Sequence, residues 1–251
     1  MRVVLALPAY NEERGLPGLL EAFQRASSAG GYSARLVIVD DGSTDSTGDL
    51  IRAWSSKLPI QTMRHPVNLG LGETIKDALQ LAARECQPDD IIVTMDADNT
   101  HPPELIGKMI ALILEGHDVA IASRYRRGAR VVGLSAFRHL ASYAALIPFR
   151  LLFPIPGVRD YTSGFRAYRA AILQNAFAAH GAQPITEPGF AAMAELLLNL
   201  HRLGARMCEA PLVLRYDRKG GASKMNVTRT VLRTLWLLVR LKFARAGVAR
   251  P

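Results

Sequence analysis

The sequence predicts an α/β fold built on a mainly parallel sheet with helices on both faces. Three observations carry that expectation. Short apolar runs rich in β-branched residues alternate with helical patterns through the first half of the chain. Each strand-plus-helix unit takes roughly 25–30 residues, about the length of a parallel crossover. Polar and acidic residues cluster just beyond the ends of the apolar runs, where ligands bind in open parallel sheets.

Taken in order, Val3–Leu7, Leu36–Val39, Ile60–Met63, Ile91–Met95 and Val119–Ala122 read as strands buried on both faces. Between them, Leu16–Ala29, Thr44–Leu58, Leu71–Glu85 and Pro102–Glu115 repeat apolar residues at helical spacing. Ser43 or Thr44 can cap the second of these, and Pro102-Pro103 opens the fourth where proline is tolerated. Leu134–Phe153 is apolar but interrupted by Arg138, His139 and Arg150, and Pro154-Ile155-Pro156-Gly157 stops it. A strand at Gly164–Tyr168 follows, then helices at Ala170–Ala179 and Phe190–Leu203, a strand at Arg206–Tyr216, a loop at Asp217–Ser223 and a last helix at Val227–Ala244. No repeat or low-complexity linker interrupts the pattern. One domain is therefore expected over residues 1–224, with halves 1–123 and 124–224, followed by a C-terminal amphipathic helix and tail over 225–251.

Composition narrows the class. With 251 residues, 49% hydrophobic and 21% charged, the chain can bury a real core and lies far from disordered compositions. Its 31 Lys plus Arg against 22 Asp plus Glu give +9, but Met1–Ser123 carries 10 basic and 17 acidic side chains while Arg124–Pro251 carries 21 basic and 5 acidic. The second half thus expects an anionic partner, though no nucleic-acid recognition motif is present and the acidic half has the wrong sign for one. Cys86 and Cys208 have no CxxC spacing and no nearby His, which supports neither a disulfide framework nor a zinc site. The start of the chain reads as a strand and not as a signal peptide, and no uncharged apolar run reaches the roughly 18 residues of a membrane span. His65, His101, His117, His139, His180 and His201 form no ligand-spaced cluster and suggest no role, and Glu195 reads as an ordinary helix position.

Three strand ends carry the chemistry. The first ends Pro8-Ala9-Tyr10-Asn11-Glu12-Glu13, the second Asp40-Asp41-Gly42-Ser43-Thr44-Asp45, and the fourth Asp96-Ala97-Asp98-Asn99. An aromatic ring can stack on a base, and a carboxylate can accept from a base N–H or ribose hydroxyls. Two carboxylates two positions apart at a strand tip can hold a hard divalent cation and leave coordination positions for diphosphate oxygens. No GxxxxGK[ST] loop is present and no GxGxxG follows a strand, which disfavours P-loop and dinucleotide chemistry. Gly70-Leu71-Gly72 either lets backbone approach a donor or forms a simple turn.

With Asn68-Leu69-Gly70-Leu71-Gly72, Ser123-Arg124-Tyr125, Ser163-Gly164-Phe165-Arg166 and Gly221-Ala222-Ser223-Lys224 added, the set resembles family-2 glycosyltransferases, in order from Val3 to about Lys224. Within that family it looks most like the polyprenol- and dolichol-phosphate mannosyltransferases. The resemblance implies a Rossmann-like glycosyltransferase type A fold, with a nucleotide-sugar and metal half and an acceptor half. It implies inverting transfer of a hexose, mannose favoured, from a nucleoside-diphosphate sugar such as GDP-mannose to a polyprenyl phosphate at the cytoplasmic membrane face.

By the same resemblance, Pro8, Tyr10, Glu12 and Asp40 or Asp41 line the nucleoside pocket, with Asp41 preferred for the base. Asp96, Ala97 and Asp98 lie at the donor diphosphate, and Asp96 and Asp98 bind Mg²⁺ or Mn²⁺. A Gln that often adds a third metal contact is Thr100 here. Arg124, Arg138, Ser142 and Arg218 are expected around the acceptor phosphate or transferred group. A phosphate acceptor is already anionic, so the second half's 18 Arg against 3 Lys suit positioning and neutralisation. Asp160 is either a base for a hydroxyl acceptor or the orienter of an arginine. Leu134–Phe153 and Val227–Arg245 are expected to lie in the membrane interface, or else to pack on the core. Two rivals remain: the same fold with a soluble acceptor or a UDP-glucose or UDP-GlcNAc donor, and a non-catalytic nucleotide-sugar-binding scaffold.

Overall fold

The computed structural model describes residues 1–133, 146–179, 183–189, 191–219, 233 and 236–240. Alternating strands and helices build the first half: β1 Val3–Ala9, α1 Leu16–Gly30, β2 Ala34–Asp40, α2 Thr47–Trp54, β3 Ile60–Arg64, α3 Leu71–Glu85, β4 Ile91–Thr94, α4 Leu105–Leu114 and β5 Val119–Ser123. The second half adds β6 Arg130–Val132, β7 Arg166–Arg169, α5 Ala170–Ala179, α6 Ala192–Arg202, β8 Met207–Pro211 and β9 Val213–Arg215. Residues 146–152 and 236–240 are also helical.

Seven strands form one sheet in the order β3-β2-β1-β4-β7-β5-β8, and β6 pairs with β9 in a second, two-stranded sheet. β1 runs parallel to both β2 and β4, with Val3 opposite Ala34 on one side and Ile91 on the other. The strand order reverses beside β1, so the ends of β1 and β4 open a crevice between them. β7 is antiparallel to β4 and β5, while β8 is parallel to β5. This is the expected α/β architecture, a mainly parallel sheet flanked by helices.

Strand alternation divides the core into two layers. Val3, Leu5, Leu7 and Ala9 of β1 pack with Leu16, Leu19, Leu20 and Phe23 of α1, and with Ile106, Met109, Ile110 and Ile113 of α4. Val4 and Ala6 face the opposite way, onto Ile75, Ala78, Leu79 and Ala82 of α3 and the leucines of α6. At roughly 1.5–3 kcal/mol for each large apolar side chain removed from water, these layers fix the sheet firmly enough to present its loops as a rigid rim.

Local departures have physical causes. β3 is an edge strand, and Thr62–Arg64 are exposed and not buried on both faces. Helix α2 begins at Thr47, and neither Ser43 nor Thr44 caps it. Asp45 Oδ1 instead accepts from Thr47 N at 3.0 Å and Thr47 Oγ1 at 2.6 Å. The single strand expected over Arg206–Tyr216 is two strands in different sheets. Leu212 N donates to Ser123 O at 2.9 Å and Arg130 N to Leu212 O at 2.9 Å, so the chain changes partners there.

Candidate functional site

One end of the crevice is made by the loops after β1, β2 and β3, which are stapled to one another. Asn11, in a left-handed conformation at φ 52°, donates its N–H to Ser43 Oγ at 3.0 Å, and its side-chain oxygen accepts Thr44 N at 2.8 Å. Glu12 N donates to Thr47 Oγ1 at 2.8 Å, and Glu12 O accepts Gly15 N and Leu16 N at the start of α1. Pro8 is buried in β1, while Tyr10 and Glu12 are half-buried at its tip.

Asp40 and Asp41 are both buried but differ in their partners. Asp40 Oδ1 accepts Ser43 N at 2.9 Å, and Arg64 Nε lies 3.5 Å from its other oxygen. Asp41 Oδ1 accepts Leu69 N at 2.8 Å and lies 2.7 Å from His65 Nδ1, while Oδ2 accepts Gly70 N at 2.9 Å. Asp41 therefore organises the loop after β3, and what it can offer a base is the remaining acceptor capacity of Oδ2.

Gly72 serves packing. A Cβ there would lie 1.9 Å from Glu187 O, and its N–H donates to Pro188 O at 3.0 Å. Of the two uses open to Gly70-Leu71-Gly72 from sequence, backbone approach to a donor or a turn before a helix, the structure shows the turn, with Gly70 at φ 96° opening α3, and the close approach at Gly72 is to Glu187-Pro188.

Asp96, Ala97 and Asp98 follow β4. Asp98 is 7% exposed; its Oδ1 accepts Thr100 N at 3.1 Å and Thr100 Oγ1 at 2.7 Å, and its Oδ2 accepts Lys219 Nζ at 2.8 Å. Thr100 thus fixes the Asp98 carboxylate. Burial alone would raise the Asp98 pKa, but the charges at His101 and Lys219 and the hydrogen bonds from Lys219 and Thr100 hold it below the usual carboxylate range. The Asp96 side chain is half-exposed, with His101 Nε2 3.9 Å from its Oδ2. A Cβ on Gly164 would stand 3.0 Å from Asp96 Oδ1, so glycine there leaves room for that carboxylate.

Among the described residues no group of three or more His, Cys, Asp or Glu side chains could hold a metal ion. Two hard carboxylates beside an exposed rim nevertheless suit Mg²⁺ or Mn²⁺ that completes its sphere with phosphate oxygens and water. Lys219, already on Asp98 Oδ2, shows that this position attracts a cation.

The second half supplies cations beside this pair. Arg124, just after β5, lies against fully buried Asp160: its N, Nε and Nη2 donate to the carboxylate at 3.0, 2.9 and 2.7 Å, and Nη2 also donates to Thr162 Oγ1 at 2.7 Å. Asp160 also accepts Thr162 N at 3.3 Å and Ser163 N at 3.1 Å. Despite the cost of burial, the charge and hydrogen bonds of Arg124 hold the Asp160 pKa below the usual carboxylate range, and with five donors on its two oxygens Asp160 is placed to orient the arginine. Arg126, Arg127 and Arg130 are exposed beyond it. Arg218 is exposed on the turn Tyr216–Arg218, and its neighbour Lys219 is the residue that reaches Asp98. Arg166 is fully buried, donating to Met193 O at 2.6 Å and Tyr161 O at 2.8 Å, a brace between β7 and α6. Arg138, Ser142 and Gly221–Lys224 lie outside the described residues.

Reasoning from sequence missed His65, His101, Lys219 and Glu195. The first two sit one step past β3 and in the loop after β4, and that placement at strand ends was the available signal. Glu195 is no ordinary helix position. Buried on α6, it accepts Thr186 N, Thr186 Oγ1 and Glu187 N, each at 2.7 Å, and pairs with Arg240 at 2.5 Å.

Comparison with known proteins sets the site in a family. Residues 5–177 match the model for glycosyl transferase family 2. The chain is 35% identical over 175 residues to the dolichol-phosphate mannosyltransferase of Pyrococcus furiosus, covering 69% of this chain and 48% of that one, so it spans about half that relative's length. It is 29% identical to the undecaprenyl-phosphate mannosyltransferase of Micrococcus luteus, covering 99% and 100%. The glucosyl-3-phosphoglycerate synthase of Mycobacterium tuberculosis, solved with Mn²⁺, UDP and phosphoglyceric acid, superposes with a TM-score of 0.66 at 20% identity over 99% of this chain and 80% of that one. The same enzyme is also solved with Mg²⁺ and UDP.

These structures overturn the finer expectations. The fold that spans this whole chain is shared with an enzyme crystallised with a uridine nucleotide and a small phosphorylated acid. Dolichyl-phosphate mannose synthesis, GDP-mannose, a polyprenyl phosphate partner and a peripheral place on the cytoplasmic membrane face are therefore not specified by it. Among the described residues no helix is long and apolar enough to cross a membrane. The described parts of the two segments expected in the interface turn Leu146, Phe149, Phe153, Leu237 and Leu238 into the core. The interlocked loops, the Asp96/Asp98 pair and the matched family model agree at the level that stands: the chain belongs to glycosyl transferase family 2.

Proposed function

We propose that this chain transfers a hexose, glucose in the first instance, from a uridine-diphosphate sugar to a small phosphorylated acceptor in solution. The observation that carries this reading is the Asp96/Asp98 pair just past β4, with Lys219 Nζ 2.8 Å from Asp98 and the Arg124 charge acting on Asp96. In this reading Pro8, Tyr10, Glu12, Asp40 and Asp41 form the nucleoside end, and Asp96 and Asp98 the diphosphate end. A divalent cation shared by those two carboxylates would offset the charge that gathers on the departing diphosphate.

The chain's own groups do the rest. Thr100 keeps one Asp98 oxygen turned and engaged, leaving Oδ2 for a cation. Arg124, held by Asp160, presents a pre-oriented guanidinium beside the reacting centre at little reorganisation cost. Arg126, Arg127, Arg130 and Arg218 give an exposed cationic approach for a phosphorylated acceptor, as does the charge of the second half. In the transfer the bond from the anomeric carbon to the diphosphate oxygen breaks as an acceptor oxygen bonds to that carbon, the nucleoside diphosphate leaves with the electron pair, and where the acceptor is a hydroxyl its proton passes to the departing diphosphate or to water. Placement of β7 between β4 and β5 supports treating residues 1–224 as one catalytic domain.

The test incubates purified protein and Mn²⁺ with UDP-glucose, UDP-GlcNAc or GDP-mannose, against phosphoglycerate and other small phosphorylated acids. A polyprenyl phosphate arm is included because Ile147, Leu151, Trp236 and Val239 leave apolar side chains exposed. A glucosylated soluble product is expected. A sugar-lipid product with none from any soluble acceptor would overturn the proposal.

A further inference from the structure

We infer that His65 is held as an imidazolium between Asp41 and Asp77 and serves as a positioning residue for the nucleoside end of the donor site. The inference rests on the reading of Asp41 as part of that pocket. His65 is 3% exposed and lies one residue past β3. Its Nδ1 is 2.7 Å from Asp41 Oδ1 and its Nε2 is 3.0 Å from Asp77 Oδ2. Ionised carboxylates only accept, so both ring nitrogens must donate, and an imidazole donates from both only when charged. Asp41 also accepts two backbone N–H groups, bonds that favour a carboxylate.

Among the described residues, the charges that act on the ring are those of two carboxylates. Asp41 comes from the end of β2 and Asp77 from α3. Arg64, the chain neighbour, is committed elsewhere: its Nη2 donates to Ser43 O at 2.9 Å and its Nε faces Asp40. His65 N also donates to Asp40 O at 2.9 Å, pinning the ring's backbone to the end of β2. Burial by itself would lower the histidine's pKa, but the hydrogen bonds and charges of Asp41 and Asp77 outweigh it and hold the ring above its ordinary value of 6.5.

The cation therefore ties three elements together: the end of β2, the loop that gives Asp41 its Leu69 and Gly70 N–H groups, and the first half of α3. A neutral ring keeps a single N–H, so its lone pair faces a carboxylate oxygen of either Asp41 or Asp77 and the tie between the end of β2 and α3 is lost. The sign follows. The group's native value is raised, so its contribution to stability and to nucleotide binding is complete below 6.5 and is lost as pH rises through the native value.

The decisive experiment pairs two readouts. In ¹⁵N-histidine-labelled wild-type protein, the resonance that disappears in His65→Asn should show both ring nitrogens protonated at neutral pH, and should titrate above an ordinary histidine. Affinity for UDP and for GDP, measured calorimetrically from pH 6 upward, should fall across that same titration. His65→Leu should weaken nucleotide binding about tenfold, the equivalent of roughly 1.4 kcal/mol. His65→Asn, which can still donate to Asp41, should recover most of that affinity and lose the pH dependence. The donor KM should rise in the Leu variant with kcat little changed. A neutral His65 ring at pH 7 overturns the inference whatever the variants do. Unchanged nucleotide affinity in His65→Leu overturns the positioning role even if the ring is charged. Absence of nucleotide binding by the wild type would remove the nucleoside-site reading itself, and the ring's charge state, read independently, tells the two failures apart.

Discussion

Replacing Asp160 by Asn should be among the most damaging single-atom changes available in this chain. Asp160 is fully buried and takes five N–H donors on two oxygens, three of them from Arg124. An amide presents an NH₂ where one oxygen stood, so a donor meets donors and the Arg124 charge loses its counterion. Breaking a buried ion pair from one side costs about 3–5 kcal/mol. The loss should appear in urea unfolding at pH 7. Arg124→Met combined with Asp160→Asn should be less destabilised than the sum of the two single changes, with a coupling of about 2–3 kcal/mol.

The pH dependence gives an independent check. Because the native pKa of Asp160 is depressed, its contribution is present above the ordinary value of 3.8 and is lost as pH falls through the native one. Acid destabilisation should accordingly be shallower in Asp160→Asn. A stability loss below about 1 kcal/mol, together with coupling below about 0.5 kcal/mol, would refute the argument that this pair is a desolvated, mutually dependent unit.

Two glycines on helices should respond in opposite senses. Gly72→Ala drives a Cβ to 1.9 Å from Glu187 O and should cost about 1–3 kcal/mol, whereas Gly107→Ala on α4 meets nothing within 4 Å and should stabilise by about 0.5–1 kcal/mol, both read from thermal unfolding. Thr100→Val removes the hydroxyl that donates to Asp98 at 2.7 Å and should weaken Mn²⁺ binding in the presence of UDP about five- to tenfold, roughly 1–1.5 kcal/mol, by electron paramagnetic resonance titration. Unaltered Mn²⁺ affinity would remove Thr100 from the site. Glu195→Gln should detach the Thr186–Glu187 segment from α6 and Arg240 and raise hydrogen exchange at Thr186 and Glu187 amides; unchanged protection there would show that other contacts hold the segment.

Local patterns in the sequence carried a good deal of the fold. The expected helices Leu71–Glu85 and Ala170–Ala179 coincide with α3 and α5, and the five early strands lie within a few residues of those observed. Those segments are long or strongly patterned, and their partners follow them in the chain. The insertion of β7 antiparallel between β4 and β5 depends on pairing across about 70 residues, as Thr94 opposite Arg166 shows, and no local period encodes it. The acidic half of the site was visible because Asp96 and Asp98 stand together at a strand tip. Its cationic complement was harder to see, since Lys219 reaches Asp98 across 121 residues and looks no different in sequence from Arg218 beside it. Asp41 shows a subtler gap: its residue type suggested a base contact, whereas its partners, Leu69, Gly70 and His65, assign it first to building the loop. Membrane contact was over-read, because an apolar stripe such as Phe149, Phe153, Leu237 and Leu238 has the same spacing whether it faces lipid or the protein's own core.

The most direct measurement of the central claim is UDP binding by calorimetry with and without Mn²⁺, in the wild type and in Asp98→Ala. If Asp96 and Asp98 share a cation with the donor diphosphate, Mn²⁺ should tighten UDP binding at least about tenfold in the wild type, roughly 1.4 kcal/mol, and should have no effect in the variant. UDP affinity that ignores Mn²⁺ in the wild type, or that still responds to it in Asp98→Ala, would contradict the account.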